Sequence, residues 1–257
     1  MTITFYKYQG TGNDFIMIDN REESFPKNDT KLVASLCDRR FGIGADGLIL
    51  LENYTGLDFK MVYYNADGKP SSMCGNGGRC LVAFAKYLGI VENEATFVAI
   101  DGHHHATIDG DIVSLQMQDV FEIKEKSKYS FLDTGSPHHV QLVNNLKDFN
   151  VATEGAKLRY GIYGENGSNI NFVEPRAEAF AVRTYERGVE GETMSCGTGV
   201  TAVALAMHNQ GNTQSNAVTI HTPGGKLTVT FDSHEKGYQN IHLIGAAKMV
   251  FKGEMEC

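Results

Sequence analysis

MCGNGGRC, Met73 to Cys80, and MSCGTGV, Met194 to Val200, write one pattern twice. In each, a cysteine stands directly before a glycine-rich turn, and Cys74 and Cys196 lie 122 positions apart in a 257-residue chain with only five cysteines. With the two cysteines taken as equivalent, the matches spread outward. RCLVAFAKYLG and VTAVALAMHNQG both end at a glycine fifteen residues beyond their cysteine, Gly89 and Gly211. A helix stopped by a left-handed glycine explains both. Gly102 and Gly224 each follow their cysteine by 28 residues and open alternating, strand-like segments. Upstream, Gly12 precedes Cys74 by 62 residues and Gly135 precedes Cys196 by 61. Four landmarks in one order and register indicate duplication of a whole domain, not a solenoid.

The predicted architecture is therefore α+β: two similar domains, each a mostly antiparallel curled sheet around one buried central helix. The cysteine helices carry apolar residues on nearly every face (Leu81, Val82, Phe84, Leu88; Val203, Leu205, Met207), the mark of a helix buried all round. Outer helices are predicted within DTKLVASLCDRRFG and NNLKDFNVATEGAKLRYG. The predicted halves are 1–118, rejoined by a final strand at 248–257, and 119–247.

Composition narrows the function. The chain is 42% hydrophobic with 28 glycines, which suits a globular protein rich in tight turns. A net charge of −8, with no stripe of Lys and Arg, argues against nucleic-acid binding. No apolar run reaches membrane length, and the first residues lack a basic-then-apolar leader pattern. Five cysteines at irregular spacing fit thiols in a reducing cytoplasm better than a disulfide framework. A soluble cytoplasmic protein is expected.

Cys37, Cys80 and Cys257 read as ordinary small hydrophobes. Cys74 and Cys196 differ because each begins a helix, where unpaired backbone N–H groups and the helix dipole favour a thiolate. The same amides, of Gly75, Asn76 and Gly77 and of Gly197, Thr198 and Gly199, make a cradle for a carboxylate. The duplication predicts that the two loops face each other across the cleft between the domains. Two acid–base thiols on opposite faces of a carbon suit amino-acid racemisation: one removes the α-proton, the other returns a proton from behind. Amides on the α-carboxylate would stabilise the charge that develops.

Other signals compete. GIGADG, Gly42 to Gly47, satisfies G-x-G-x-x-G but follows a helix and precedes a strand, the reverse of a dinucleotide fingerprint. The triplet His103 to His105 falls on a strand without ligand spacing around it, so no metal site is expected. A Cys–His hydrolase using Cys196 or Cys74 with His138 is a real alternative that leaves the second cysteine loop without a role. A thiol-based redox or binding module is a third reading.

GTGNDF, FGIGADGLIL, YNADG, MCGNGGRC, YERGVEGET and SCGTG together resemble the diaminopimelate epimerase family, over essentially the whole chain. The resemblance implies that family's fold and cofactor-independent epimerisation of LL- to meso-diaminopimelate in lysine and peptidoglycan synthesis. No pyridoxal phosphate or metal is implied, and the protein is expected to be a homodimer. Carried onto this sequence, Cys74 and Cys196 match the catalytic pair. Gly75 with Asn76 and Gly197 with Thr198 match the amides that grip the reacting carboxylate. Asn13, Asn65 and Asn169 match substrate contacts, Glu186 and Arg187 match the pair at the distal amino-acid end, and His138 lies near the catalytic centre. Diaminopimelate is an amino acid at both ends, and Arg187 with Glu186 supplies a fork for one carboxylate and a counter-charge for one ammonium. Two departures bear on distal recognition: GSPH stands where the family often has GNPH, placing Ser136 in an asparagine's position, and Gly47 stands where some members have glutamine. A proline- or hydroxyproline-type racemase is the alternative within the same architecture.

Overall fold

The computed structural model describes residues 2–71 and 73–257; Met1, where the first predicted half begins, and Ser72 lie outside the described residues. The chain divides into two compact units, one running to Leu115 and resuming at Gly245–Cys257, the other Gln116–Ile244. The first unit contains β1 (Thr2–Gly10), β2 (Asn13–Asp19), α1 (Thr30–Cys37), β3 (Gly47–Glu52), β4 (Phe59–Asn65), α2 (Gly75–Tyr87), β5 (Glu94–Ala99), β6 (Gly102–Asp109) and β7 (Ile112–Gln116). In the second come β8 (Ile123–Glu125), β9 (Ser130–Asp133), β10 (Pro137–Leu142), α3 (Val151–Tyr163), β11 (Asn169–Arg176), β12 (Ala179–Glu186), β13 (Gly191–Thr193), α4 (Gly197–Asn209), β14 (Ala217–Thr222), β15 (Gly225–His234) and β16 (Gly237–Ala246). The last strand, β17 (Lys248–Glu256), returns to pair antiparallel with β1.

One topology is used twice. The first unit orders its strands β17-β1-β2-β3-β4-β5-β6-β7, with β2–β3 and β4–β5 parallel and every other pair antiparallel. The second orders them β8-β9-β10-β11-β12-β14-β15-β16, again with only the third and fifth pairs, β10–β11 and β12–β14, parallel. In both, an outer helix joins the first parallel pair and the cysteine helix joins the second.

Alternation of side chains across the pleat assigns each face. In the first unit Ile16, Ile18, Leu48 and Leu50 pack with Val33 and Leu36 of α1. The intervening Phe15 and Ile49 meet α2, where a Cβ on Gly77 would lie 2.8 Å from Ile49 Cδ1. All six residues of β3 are buried as a result. In the second unit Ile170, Phe172 and Tyr185 pack with Val151 of α3. The opposite face, with Asn171, lies beneath the start of α4.

The cysteine helices end alike. Gly89 and Gly211 have φ of 71° and 75°. Their N–H groups donate to Lys86 and His208, and the next residues' N–H groups to Ala85 and Met207, a left-handed glycine cap. Three predicted details change. The counterpart of Gly102 is Gly225, one residue later than the spacing predicts, since each begins the second strand of its hairpin (Ala99 opposite Gly102, Thr222 opposite Gly225). The first outer helix stops at Cys37, because Asp38 turns the chain by accepting from the N–H groups of Arg40 and Phe41. The second begins only at Val151, after a separate turn at Leu146–Asp148, where Asn150 caps it by accepting from Thr153 N–H.

Candidate active site

Cys74 and Cys196 occupy the residue before the first turn of α2 and α4, with nearly the same extended backbone (φ/ψ −110°/119° and −117°/113°). Each carbonyl accepts the first helical hydrogen bond, from Gly78 and Val200. The next N–H groups, of Gly75, Asn76 and Gly77 and of Gly197, Thr198 and Gly199, therefore lie in the first turn, where no helical acceptor precedes them. Each cysteine thus stands at a helix start whose first-turn amides suit an anion.

In the first unit, Asn13 opens β2 on the face shared with Phe15. Its Nδ2 donates to Asp46 Oδ2 at 2.6 Å, which turns Oδ1 inward to accept from Asn76 Nδ2 (3.3 Å) and from the Cys74 thiol (3.6 Å). Asp46 is in turn bound by Arg39, which also pairs with Asp14, and Asp14 pairs with Lys7. Burial works against ionised Asp14, but hydrogen bonds from Arg39 and Lys7 and their charges hold its carboxyl well below the usual range. Beneath the helix start, Arg79 is fully buried. Its guanidinium donates to Gly75 O, Thr11 Oγ1 and Asn76 Oδ1, and among the described residues no carboxylate pairs with it. Burial pulls its pKa down, while Cys80 and Cys74 act in the opposite sense. Cys80 itself is buried, which pushes its thiol up to about 12, and burial does the same to Cys37. Asn65 ends β4 opposite Gly47, exposed.

In the second unit, strand register collects His138, Asn169, Asn171 and Thr184 on the α4 face. His138 is fully buried; one ring nitrogen meets Asn171 Nδ2 (3.1 Å) and the other Thr198 Oγ1 (2.9 Å). Burial, reinforced by the field of Arg187, holds its pKa down at about 3. Both nitrogens are thus engaged away from sulfur, whereas a Cys–His hydrolase needs one on the thiol. Cys196 Sγ meets Thr198 Oγ1 at 3.4 Å.

Arg187 follows β12 and is exposed. Its Nη1 donates to Asn166 O and its Nη2 to Ser136 Oγ, while its backbone N–H donates to Asn169 Oδ1. Asn169 Nδ2 also donates to Ser136 Oγ, so Ser136 tethers Arg187 and Asn169 together. The other arginines between Arg159 and Arg187, namely Arg159, Arg176 and Arg183, are paired with Glu190, Glu174 and Glu192; among the described residues Arg187 has no carboxylate. Glu186 Oε2 accepts from Thr193 Oγ1. At Gly47, a Cβ would fall 2.5 Å from both the Tyr63 ring and Tyr64 O, so Tyr63 fills the space a longer side chain would need.

Asn171, Thr184, Asp46, Arg39 and Arg79 are supports that sequence reading missed. The alternation in SNINF, which puts Asn169 and Asn171 on one face, is the signal that would have found Asn171. The histidine triplet lies on β6, where His104 pairs with Asp101 and His105 with Glu94; among the described residues no cluster suits a metal ion. No helix of the described residues is long and apolar enough to cross a membrane.

The family model described as diaminopimelate epimerase matches residues 5–119 and 130–250. The chain belongs to the diaminopimelate epimerase family. The diaminopimelate epimerase of Flavobacterium psychrophilum is 62% identical over 250 residues, covering 96% of this chain and 98% of the relative. That of Chlorobaculum tepidum is 42% identical over 255 residues, covering 95% and 98%. Among solved structures, a Bacillus anthracis phenazine biosynthesis protein of the PhzF family superposes with TM-score 0.81 at 13% identity, covering all of both chains. A hydroxyproline epimerase from Agrobacterium vitis with bound trans-4-hydroxy-L-proline gives 0.70 at 13%, covering 99% of this chain and 92% of the other. These two likenesses establish the shared fold.

Proposed function

We propose that this chain epimerises LL-diaminopimelate to meso-diaminopimelate for lysine and peptidoglycan synthesis, using Cys74 and Cys196 as the acid–base pair. One thiolate takes the α-proton, and the other thiol delivers a proton to the opposite face of the same carbon. In the reverse direction the roles exchange. The proton state belongs to the coupled pair and not to one sulfur alone. The observation that carries the reading is the repetition itself: two cysteines at the same helical position, with the same backbone, each at the head of a buried helix in one of two matching topologies.

The first-turn amides of Gly75 and Asn76 and of Gly197 and Thr198 stabilise the α-carboxylate as negative charge builds at Cα. Asn13, Asn65 and Asn169 contact the substrate. Arg187 and Glu186 read the distal amino acid, and the lack of a carboxylate partner for Arg187 among the described residues supports this, because its charge is left for a ligand. We place the reaction in the cytoplasm, with no pyridoxal phosphate or metal, no nucleic acid or membrane partner, and a homodimer as the working assembly.

The test is isotopic. In heavy water, product formed early should carry deuterium while remaining substrate stays protiated, in both directions. The arriving proton then comes from a thiol already equilibrated with solvent. Product that kept the substrate's own hydrogen would point to a single base and overturn the two-thiol reading.

A further inference from the structure

Arg79 and Thr201 hold the same place in their helices, five residues beyond Cys74 and Cys196. A helical side chain leans back toward the start of its helix, and both reach the carbonyl of the residue after their cysteine. Arg79 Nη1 donates to Gly75 O at 3.3 Å, and Thr201 Oγ1 donates to Gly197 O at 3.1 Å. A hydroxyl is enough to make that bond, so what the guanidinium adds is charge. The charge is fully buried. Its Nη2 donates to two neutral acceptors, Thr11 Oγ1 and Asn76 Oδ1, and its Nε is buried without an acceptor among the described residues. A Cβ on Gly10 would lie 3.3 Å from both Arg79 Nη2 and Cys80 Sγ, so the β1–β2 turn closes directly over the guanidinium. Thr11 in that turn has a φ of 54°, a strained backbone for a β-branched residue, and its hydroxyl is bound by Arg79. A buried charge without an opposite charge is costly to keep; this one is kept directly behind the head of α2.

We propose that Arg79 is a positioning residue for negative charge, whose buried guanidinium favours the Cys74 thiolate and a carboxylate at the first turn of α2. The matching turn of α4 has a hydroxyl in that place and no such charge. This deepens the reading of Cys74 as an acid–base group and rests on it. The neighbouring groups leave the charge uncompensated near neutral pH. On α2, Cys80 is pushed up to about 12, and on β1 burial raises Tyr8 above its usual value. Lys7 of β1 pairs with Asp14 of β2, and Arg39 binds both Asp14 and Asp46. Farther along the helix, Tyr6 packs against Tyr87 and lies under Lys252 of β17, and His104 of β6 pairs with Asp101. One contact works the other way: Asn13 Oδ1 can only accept from Cys74 Sγ, which favours the thiol. Asp46 turns that amide inward, so removing the guanidinium leaves the opposing contact in place and moves Cys74 toward its protonated form.

Two measurements test this without relying on turnover. Alkylation by iodoacetamide across pH, followed by peptide mass spectrometry and scaled to the high-pH plateau, reports the thiolate fraction of each cysteine in one sample. Arg79→Gln keeps hydrogen-bond donors but not the charge, and should raise the Cys74 inflection by about one pH unit, a tenfold loss of thiolate below it. Cys196 in the same sample should keep its inflection, and Arg79→Lys, which keeps the charge, should recover most of the shift at Cys74. An unchanged Cys74 inflection in Arg79→Gln, an equal rise in Arg79→Lys, or an equal rise at Cys196 would each overturn the proposal. The second measurement needs no substitution at Arg79. In the parent protein the Arg79 ¹⁵Nε–H signal should shift with the same inflection as Cys74 alkylation, and the shift should vanish in Cys74→Ser. A signal flat from pH 5 to 10 would equally overturn it. Failure of the deuterium experiment with these results intact would instead count against the epimerase mechanism and leave the charge behind Cys74 standing.

Discussion

At Arg187, charge and shape separate. Lysine keeps the charge but loses the planar fork that donates to Asn166 O and Ser136 Oγ. Arg187→Lys should cost at least about tenfold in kcat/KM, the factor ~1.4 kcal/mol represents. Steady-state kinetics should show a larger loss for diaminopimelate than for a monoamino acid of similar length; equal losses would make Arg187 structural. Asp46 offers a second test, because its carboxylate is what turns the Asn13 amide. Asp46→Ala removes the carboxylate's hydrogen bonds from the Asn13 amide, the Asp14 N–H and Arg39; the charge-assisted bond from Asn13 alone is worth about 1.5 kcal/mol or more, and kcat/KM should fall roughly tenfold. A variant as active as the parent would show that Asn76 and Cys74 orient Asn13 without it.

Helices α2 and α4 begin with glycines that are poor helix formers, each about 1 kcal/mol worse than alanine. Packing decides whether that cost is recoverable. A Cβ on Gly78 would meet only the end of the flexible Met73 side chain at 2.6 Å, and Leu115 Cδ2 at 3.2 Å. On Gly199 it would meet Asn171 Oδ1 at 2.6 Å, an atom held by Thr184 in a rigid buried network. Gly78→Ala should therefore change unfolding free energy by no more than about 1 kcal/mol. Gly199→Ala should destabilise by about 1–3 kcal/mol, the cost of disturbing a buried hydrogen-bonded group, and should slow turnover. Urea unfolding of both variants checks the order, and equal effects would show that the Asn171 network yields easily.

For the whole molecule, the buried histidines set acid sensitivity. Burial holds His138 at about 3; at His139 burial outweighs the hydrogen bond to Gln141 and holds it at about 4. Unfolded histidine titrates near 6.5. Between pH 6.5 and about 4 the unfolded chain therefore binds more protons than the folded one, and stability falls as pH falls. Unfolding free energy should drop by about 2–4 kcal/mol from pH 7.5 to 5.0, and His139→Gln should remove roughly half of that drop. Asp14, held below its ordinary value, loses its contribution only at still lower pH and does not disturb this window. A flat profile between pH 7.5 and 5.0 would mean that the histidines reach water when protonated.

The features legible in the bare sequence are local or repeated. The duplication shows in glycine spacing because a left-handed cap is a property of one residue's backbone. The position of each cysteine at a helix start follows from the glycines beside it, and the family follows from short contiguous motifs. Which side chains stand behind the site depends on packing between distant parts of the chain. Asp46 reaches Asn13 across 33 residues, Thr198 reaches His138 across 60, and Arg79 reaches Thr11 across 68. The fold of each unit created those pairs, and for Asn13 and His138, which lie on strands, a one-residue slip would turn the side chain to the other face. Ser136 illustrates the difference: in sequence it is an asparagine replaced, while in the fold its hydroxyl joins Arg187 to Asn169. Which way an amide or hydroxyl points is set by partners distant in the chain, so it could be read only once the fold of each unit had brought those partners together.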